Sequence, residues 1–364
     1  MKIAILGTRG IPNNHGGFEQ FAEHLSVYLV QHGHEVIVYN SHHHPYQKDT
    51  FNGVNLIHCY DPETSIGTVG QFFYDFNCIL DLRKRHVDVI LQLGYTSSSV
   101  WHWVLPKKPI LITNMDGMEW KRSKYNPMVR RFLKFAEQLA VTSSDYLISD
   151  SVGIQDYIEN TYNKTSTYIA YGALVFENPK QDVLSNYGVT AYNYGVIIAR
   201  LEPENNIRTI VEGFHQSKAI YDLIVFGTLN AFGKKLQKKY AADERIRFVG
   251  ANYNQEELNN IRYFSRYYFH GHSVGGTNPS LLEAMASSAL IIAHKNRFNQ
   301  SILNEDGFYF ETSSDVEAIL NSDILFENKQ NFGVHNRSKI DTKYHWNSIN
   351  QQYENFMLEK IGKN

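Results

Sequence analysis

The feature that most constrains this chain is a pattern of short apolar runs that proceeds, stops and starts again. Val-, Ile- and Leu-rich runs occur at Lys2–Leu6, Glu35–Tyr39, Val54–Tyr60, Val87–Leu93, Ile110–Thr113, Tyr146–Ser149 and Thr167–Ala170. Runs of this length, bounded by Gly, Asp or Asn, suit strands buried on both faces of a parallel sheet. Between the first two, Phe18, Phe21, Ala22, Leu25, Tyr28 and Leu29 fall near helical spacing over Phe18–His32, and Gly33 is placed to end that helix. A polar stretch, Glu177–Tyr192, with Asn178, Pro179 and Gly188, interrupts the series. It restarts at Tyr194–Ala199 and continues through Leu223–Phe226, Ile246–Val249, Tyr267–His270 and Leu290–Ala293.

An interrupted and renewed strand series predicts two Rossmann-like α/β domains, residues 1–177 and 178–344. The length of 364 residues agrees with two domains. A final helix, within residues 345–364, carries Ile349, Tyr353, Phe356 and Met357 on one face and can pack back on the first domain. Lys plus Arg total 35 against 37 Asp plus Glu, a net charge of −2, so no general field draws nucleic acid to the chain. The two cysteines, Cys59 and Cys78, lack paired spacing, which argues against a disulfide framework or a Cys-based zinc site. No apolar stretch reaches the roughly 18 residues of a spanning helix. A cytoplasmic protein, soluble or peripheral on the membrane, is expected.

Ligands of open α/β sheets bind beyond the carboxyl ends of the strands, so the residues just after each run matter most. After the first run comes Gly7-Thr8-Arg9-Gly10-Ile11-Pro12-Asn13-Asn14-His15-Gly16-Gly17-Phe18-Glu19. Gly16 and Gly17 sit where the helix begins and let backbone approach an anionic ligand; the bland alternative is a glycine-capped flexible loop. The spacing is not GxGxxG, and Asn40 stands where a dinucleotide site carries an acid, so an NAD-dependent oxidoreductase is disfavoured. In the second series, Arg200 follows a strand and can fork onto phosphate oxygens, or pair with Glu202 or Glu204. Later, Asn278 suits an N-cap and Pro279 a first helical position. The N–H groups of Gly276, Thr277 and Asn278 then suit a diphosphate. Glu283, one turn in, can accept from a ribose diol, or simply be a solvated helix residue.

With these residues in place, ARLEPENN and GGTNPSLLEAMA resemble a family 4 glycosyltransferase of the GT-B fold. GTRGIPNNHGGFEQF and TNMDGMEWKRSKY fit its bacterial rhamnosyltransferase-like branch most closely. The resemblance implies two Rossmann-like domains facing each other across a cleft. It implies a retaining transfer from a nucleotide-sugar donor, with no metal and no cofactor, by a front-face route. Arg200 would grip the donor diphosphate, Gly276–Ser280 would take its phosphates, Glu283 the ribose, and Gly16–Gly17 would approach from the other domain. Two departures stand out. Asn205 replaces the lysine the broader family carries about five residues after the arginine, and Gly275 replaces a glutamate eight residues before Glu283. The second fits a 6-deoxy sugar, and the donor expected is dTDP-L-rhamnose, its sugar passing to a hydroxyl of a lipid-linked or oligosaccharide acceptor in cell-surface polysaccharide synthesis. The alternatives are a UDP- or GDP-sugar donor, a nucleotide-sugar epimerase or phosphorylase of the same fold, and a non-catalytic carbohydrate-binding protein.

Asp116 and Glu119 form a carboxylate pair after a strand of the first domain, placed to orient or deprotonate an acceptor hydroxyl, or to cap the loop. Trp120 can stack on a sugar or pack inward. From Lys121 to Lys134 the charged residues are Lys121, Arg122, Lys124, Arg130, Arg131 and Lys134, with no acid among them. Met128, Val129, Phe132, Leu133 and Phe135 interleave, so this segment reads as an acceptor or membrane surface, or as an ordinary amphipathic helix. No Asp-x-Asp follows a strand, and His42-His43-His44 is read as a polar loop rather than a metal site.

Overall fold

The computed structural model describes residues 1–14, 16–122 and 125–362, without the side chains of residues 323–325. His15 and Ser123–Lys124, which belong to the quoted motifs, lie outside the described residues. The fold is α/β, with two sheets. The first contains β1 (Lys2–Leu6), β2 (Glu35–Ser41), β3 (Thr50–Phe51), β4 (Val54–Cys59), β5 (Val89–Leu93), β6 (Ile110–Asn114), β7 (Tyr146–Ser149) and β8 (Thr167–Tyr168). Its order is β3-β4-β2-β1-β5-β6-β7-β8, and all neighbours are parallel except the β3–β4 pair. The second contains β9 (Tyr194–Ile198), β10 (Asp222–Phe226), β11 (Ile246–Gly250), β12 (Tyr267–His270), β13 (Ile291–His294) and β14 (Phe308–Phe310), in the order β11-β10-β9-β12-β13-β14.

Each sheet reverses its direction of growth once, at β1/β5 and at β9/β12. These switch points open the crevices in which α/β sheets hold ligands. Burial on both faces explains the near-continuous apolar runs: Ile3, Ala4 and Ile5 have no exposed surface. In β12, Tyr267 and Phe269 enter the core with Ile197 and Val225. Tyr268 points the other way, to the helix Pro279–Ala286, where its hydroxyl meets Ser280 Oγ at 2.6 Å.

The chain divides at Tyr171/Gly172, and the helix Trp346–Ile361 returns to the first unit. Its Tyr353 packs on Phe21 with ring centroids 4.8 Å apart, and Trp346 stacks on His24 at 4.4 Å. Asn114 Nδ2 donates to Tyr353 Oη at 2.8 Å. The polar stretch before β9 is ordered as a short 3-10 helix, Gln181–Tyr187, whose Tyr187 carbonyl accepts from Arg247 at 2.6 Å. Two strands had no counterpart in the pattern of apolar runs. β3 is a two-residue strand folded back by Asn52 and Gly53, both at positive φ (48° and 85°), and β14 is only three residues long. Both cysteines are free and buried.

Candidate functional site

In the second unit the residues after β9 and β12 clasp one another. Asn206 Nδ2 donates to Gly271 O at 2.8 Å, and Ser273 donates to Glu204 O from both N (3.1 Å) and Oγ (2.7 Å). Gly271 is required here, because a Cβ would lie 1.9 Å from Asn205 O. The clasp brings Arg200 to the loop that opens the helix Pro279–Ala286. Arg200 is exposed, and no hydrogen bond or ion pair engages its guanidinium among the described residues. The alternative pairing with Glu202 or Glu204 therefore does not form.

Asn278 caps the helix, its side chain accepting from Ser280 N at 3.0 Å, with Pro279 in the first turn. Gly276, Thr277 and Asn278 thus precede the helix as the sequence predicts, although Thr277 is buried. The Ser280 hydroxyl turns inward to Tyr268, so Ser280 offers the site its backbone position and not its side chain. Gly275 lies at φ 128° with open space where a Cβ would project. Asn205 is buried and gives an amide N–H to Arg200 O at 2.7 Å, so its side chain is turned inward to the backbone. Glu283 is no solvated helix residue: its Oε2 accepts from Arg262 Nη2 at 2.6 Å.

Sequence reading missed the other side of this site. Tyr268, His270 and His272 alternate along β12 and its extension, and the period of two places them on one face. The rings of His270 and His272 stack with centroids 4.5 Å apart. Burial first, then the charges of Arg200 and Arg122, push His272 down to about 3, so its ring is neutral. Arg122 is grouped with this unit.

In the first unit, the helix Gly17–Gln31 begins at an extended Gly16 (φ −173°), a conformation open to any residue, so the backbone itself does not demand glycine there. Gly17 O accepts from Tyr171 Oη at 2.7 Å. Glu19 is buried and accepts from Arg9 N at 2.9 Å, while Arg9 forks onto Glu63 through Nε (2.9 Å) and Nη2 (2.8 Å).

Asp116 sits at φ 39°, its N–H held by Asn114 Oδ1 at 3.0 Å. Glu119 opens the 3-10 turn Glu119–Lys121. Both carboxylates lie close enough to Tyr95 to help raise its pKa, after burial and Glu137. Glu137 is the second group the sequence reading passed over. Its side chain is 2% exposed. Oε1 accepts from Lys134 (2.8 Å), Tyr157 (2.6 Å) and Tyr162 (2.5 Å), and Oε2 from Trp120 Nε1 (3.0 Å) and Tyr95 Oη (3.3 Å). Trp120 is thus anchored from below, with Lys134 Nζ 4.8 Å from its ring centroid. A signal existed: Leu133, Ala136, Glu137, Ala140 and Val141 form the buried stripe of Pro127–Ser143, and Glu137 is the acid within it.

The same helix leaves Met128, Phe132 and Phe135 exposed, along with Lys121 before it and Arg131. Phe132 meets Phe72 at 5.6 Å, Trp101 meets Phe76 at 4.6 Å, and exposed Trp103 adjoins Trp101 at 6.4 Å. No helix among the described residues is long and apolar enough to cross a membrane. Nor, among them, does any group of three His, Cys, Asp or Glu stand where it can hold a metal ion.

Residues 1–174 match a family model described as "Domain of unknown function (DUF1972)". A search of curated proteins returns no match. Among solved structures the chain is similar to a sucrose-phosphate synthase (tll1590) from Thermosynechococcus elongatus, with a TM-score of 0.82, 16% identity and 100% of both chains covered. It is similar to Anabaena Alr3699/HepE in complex with UDP and glucose, with a TM-score of 0.75, 14% identity, and 99% and 100% covered. It is also similar to WaaG, a glycosyltransferase involved in lipopolysaccharide biosynthesis, with a TM-score of 0.72, 12% identity, and 98% and 99% covered. The two Rossmann-like sheets are those of GT-B glycosyltransferase structures, and the likeness runs the length of the chain.

Proposed function

We propose that this chain is a retaining glycosyltransferase. It moves a sugar from a nucleoside diphosphate donor to a hydroxyl of a lipid-linked or oligosaccharide acceptor in cell-surface polysaccharide synthesis. One observation carries the reading. Arg200, whose guanidinium no described residue engages, stands at the β9/β12 switch point beside an Asn278-capped helix N-terminus. A guanidinium and a ring of N–H groups aimed at one place suit the charge that builds on a departing diphosphate. That charge stabilisation asks for neither metal nor cofactor. Asp116 and Glu119, beside Tyr95, are the groups to orient the acceptor hydroxyl, with Gly16 and Gly17 as a backbone approach to the donor.

For the sugar, the narrow form of the proposal is L-rhamnose from dTDP-L-rhamnose. Gly275, open where the broader family resemblance expects a carboxylate, supports a donor with fewer hydroxyls to hold. A second reading takes a UDP-sugar, favoured by the UDP and glucose in the similar Anabaena protein. The acceptor is taken at the inner face of a membrane. Exposed Phe73, Trp103, Met128, Phe132 and Phe135, interleaved with Arg130 and Arg131, support contact with an anionic surface.

The test is a thermal-shift panel of dTDP, UDP and GDP with their sugars, since a ligand that binds the native state raises its melting point. A dTDP preference supports the narrow form, and a UDP preference supports the second. Arg200→Ala is then expected to lower kcat by about 10²–10³, with an unchanged melting point because no described residue pairs with the side chain. Silence across the whole panel, or normal turnover by the variant, overturns the assignment.

A further inference from the structure

His270 is 1% exposed, and neither of its ring nitrogens has a hydrogen-bond partner among the described residues. Two orphaned nitrogens in one buried ring are unusual, since buried polar groups are nearly always paired. His272 shares the anomaly in part: its Nδ1 is buried and has no partner among the described residues, while the residue as a whole is only half-buried. A buried N–H without an acceptor is rarer than a bare lone pair, so the proton belongs on Nε2, the ring's accessible nitrogen.

The ring's position is fixed from three sides. Its face rests on His270. The backbone carbonyl of His272 accepts from Asn296 Nδ2 at 3.0 Å and from Asn299 Nδ2 at 3.1 Å. The next residue, Ser273, is tied to Glu204. Arg200 and Arg122 are the cations whose fields reach it, and Arg262 and His294 are the further groups facing His270. A neutral N–H donor therefore sits beside the guanidinium that the site aims at phosphate, where the Asn205 side chain is turned inward.

We propose that His272, backed by the ring of His270, donates from Nε2 to a phosphate oxygen of the donor beside Arg200, supplying a phosphate contact while Asn205 is turned inward. This rests on the diphosphate reading of the same site. A neutral donor holds the phosphate without repelling Arg200, which a second cation at that spacing would do. Nothing in the pairing transfers a proton, so the imidazole binds and orients while Arg200 carries the charge.

The experiment measures calorimetric binding of dTDP, UDP and GDP, and of their nucleosides, to the full chain as wild type, Arg200→Ala, His272→Ala and His272→Gln. His272→Ala is expected to weaken the diphosphate at least tenfold and leave the nucleoside unchanged. His272→Gln, whose amide nitrogen reaches about as far as Nε2, is expected to recover most of that loss. If the alanine variant does not fold, a glutamine variant binding the diphosphate near wild-type strength, against an asparagine variant that does not reach, supports the assignment. Equal diphosphate binding by wild type, Ala and Asn variants overturns it. If Arg200→Ala weakens binding while every His272 variant binds normally, the donor reading survives and this inference alone falls. If wild type binds none of dTDP, UDP and GDP, both fall.

Discussion

Arg262 donates through Nη2 to Glu283 Oε2 across 2.6 Å, with the arginine side chain 1% exposed and the glutamate 17%. The pair joins the helix Gln255–Tyr263 to the helix Pro279–Ala286, and it fixes one carboxylate oxygen of the residue proposed to meet the ribose. Asn259 Oδ1 takes a second hydrogen bond from Arg262, at 2.8 Å.

Removing one member of a buried pair strands the other. Arg262→Met is expected to cost about 3–5 kcal/mol, read as a fall in the urea midpoint at constant slope. Glu283→Gln keeps the shape and one acceptor, so it is expected to unfold at a higher urea concentration than Arg262→Met while raising the donor KM. An Arg262→Met protein as stable as wild type would show the pair to be incidental.

How far the sequence carried this picture depends on whether a feature is local. The helix at Pro279 was legible because Asn278 and Pro279 are start signals that act within one turn. Arg200 was legible because a strand end is a place that sequence can mark. The β3–β4 hairpin went unread although Asn52-Gly53 is the turn pair such hairpins favour; two residues are too few for alternation to appear. The partners of Glu283, Glu137 and Trp120 were not legible, because Arg262, Tyr157 and Tyr162 reach them only through tertiary packing. Glu283 read as a solvated or ribose-binding acid for that reason, and Trp120 as a residue that stacks on a sugar or packs inward. The alternation of Tyr268, His270 and His272 is present in the sequence, but rings at period two also describe ordinary core.

Glu137 gathers five side-chain donors in a buried pocket, and two of them, Trp120 and Tyr95, support the loop that carries Asp116 and Glu119. Tyr95 Oη also reaches Gly117 O at 3.3 Å. Glu137→Gln turns an acceptor-only group into one that donates, so at least one donor must lose its bond, and donors left unpaired cost about 1–3 kcal/mol each. The expected result is lower stability, red-shifted Trp120 fluorescence and a fall in kcat greater than the change in donor KM. Unchanged turnover in a folded, spectrally altered variant would separate Glu137 from the function of the loop.

Asp75 gives a pH dependence of stability. It is buried in the helix Gly70–Leu82, and burial raises its pKa to about 7 despite the hydrogen bond from Ser97 Oγ at 2.5 Å and the charge of Arg9. The folded value lies above the unfolded one, so the folded state holds the extra proton. Its contribution to stability is full below about pH 4 and is lost as pH rises through about 7. Asp75→Asn has no such proton to lose. Relative to wild type it is therefore expected to gain urea resistance between pH 5 and pH 8, and a difference that stays flat across that range would place the Asp75 pKa near the ordinary carboxylate value.

The exposed aromatic crest of the first unit gives the last prediction. Phe73 (51%), Trp103 (68%), Met128 (81%) and Phe135 (53%) remain exposed beside Phe132. Over residues 97–136 eight Lys or Arg stand against two carboxylates, although the whole chain is close to neutral. Aromatic and Met side chains set among cations are the composition of a surface that rests in the headgroup layer. Each cation near an anionic leaflet adds about 1 kcal/mol, and salt weakens that part alone. The chain is expected to sediment with vesicles containing phosphatidylglycerol and much less with pure phosphatidylcholine. Trp103→Ser with Phe132→Ser is expected to reduce sedimentation at every salt concentration, whereas Arg130→Gln with Arg131→Gln reduces it mainly at low salt. Sedimentation indifferent to lipid charge and to both pairs would exclude a membrane role for this face, and a concentration-dependent rise in mass abolished by the Ser pair would assign the face to a second copy of the chain instead.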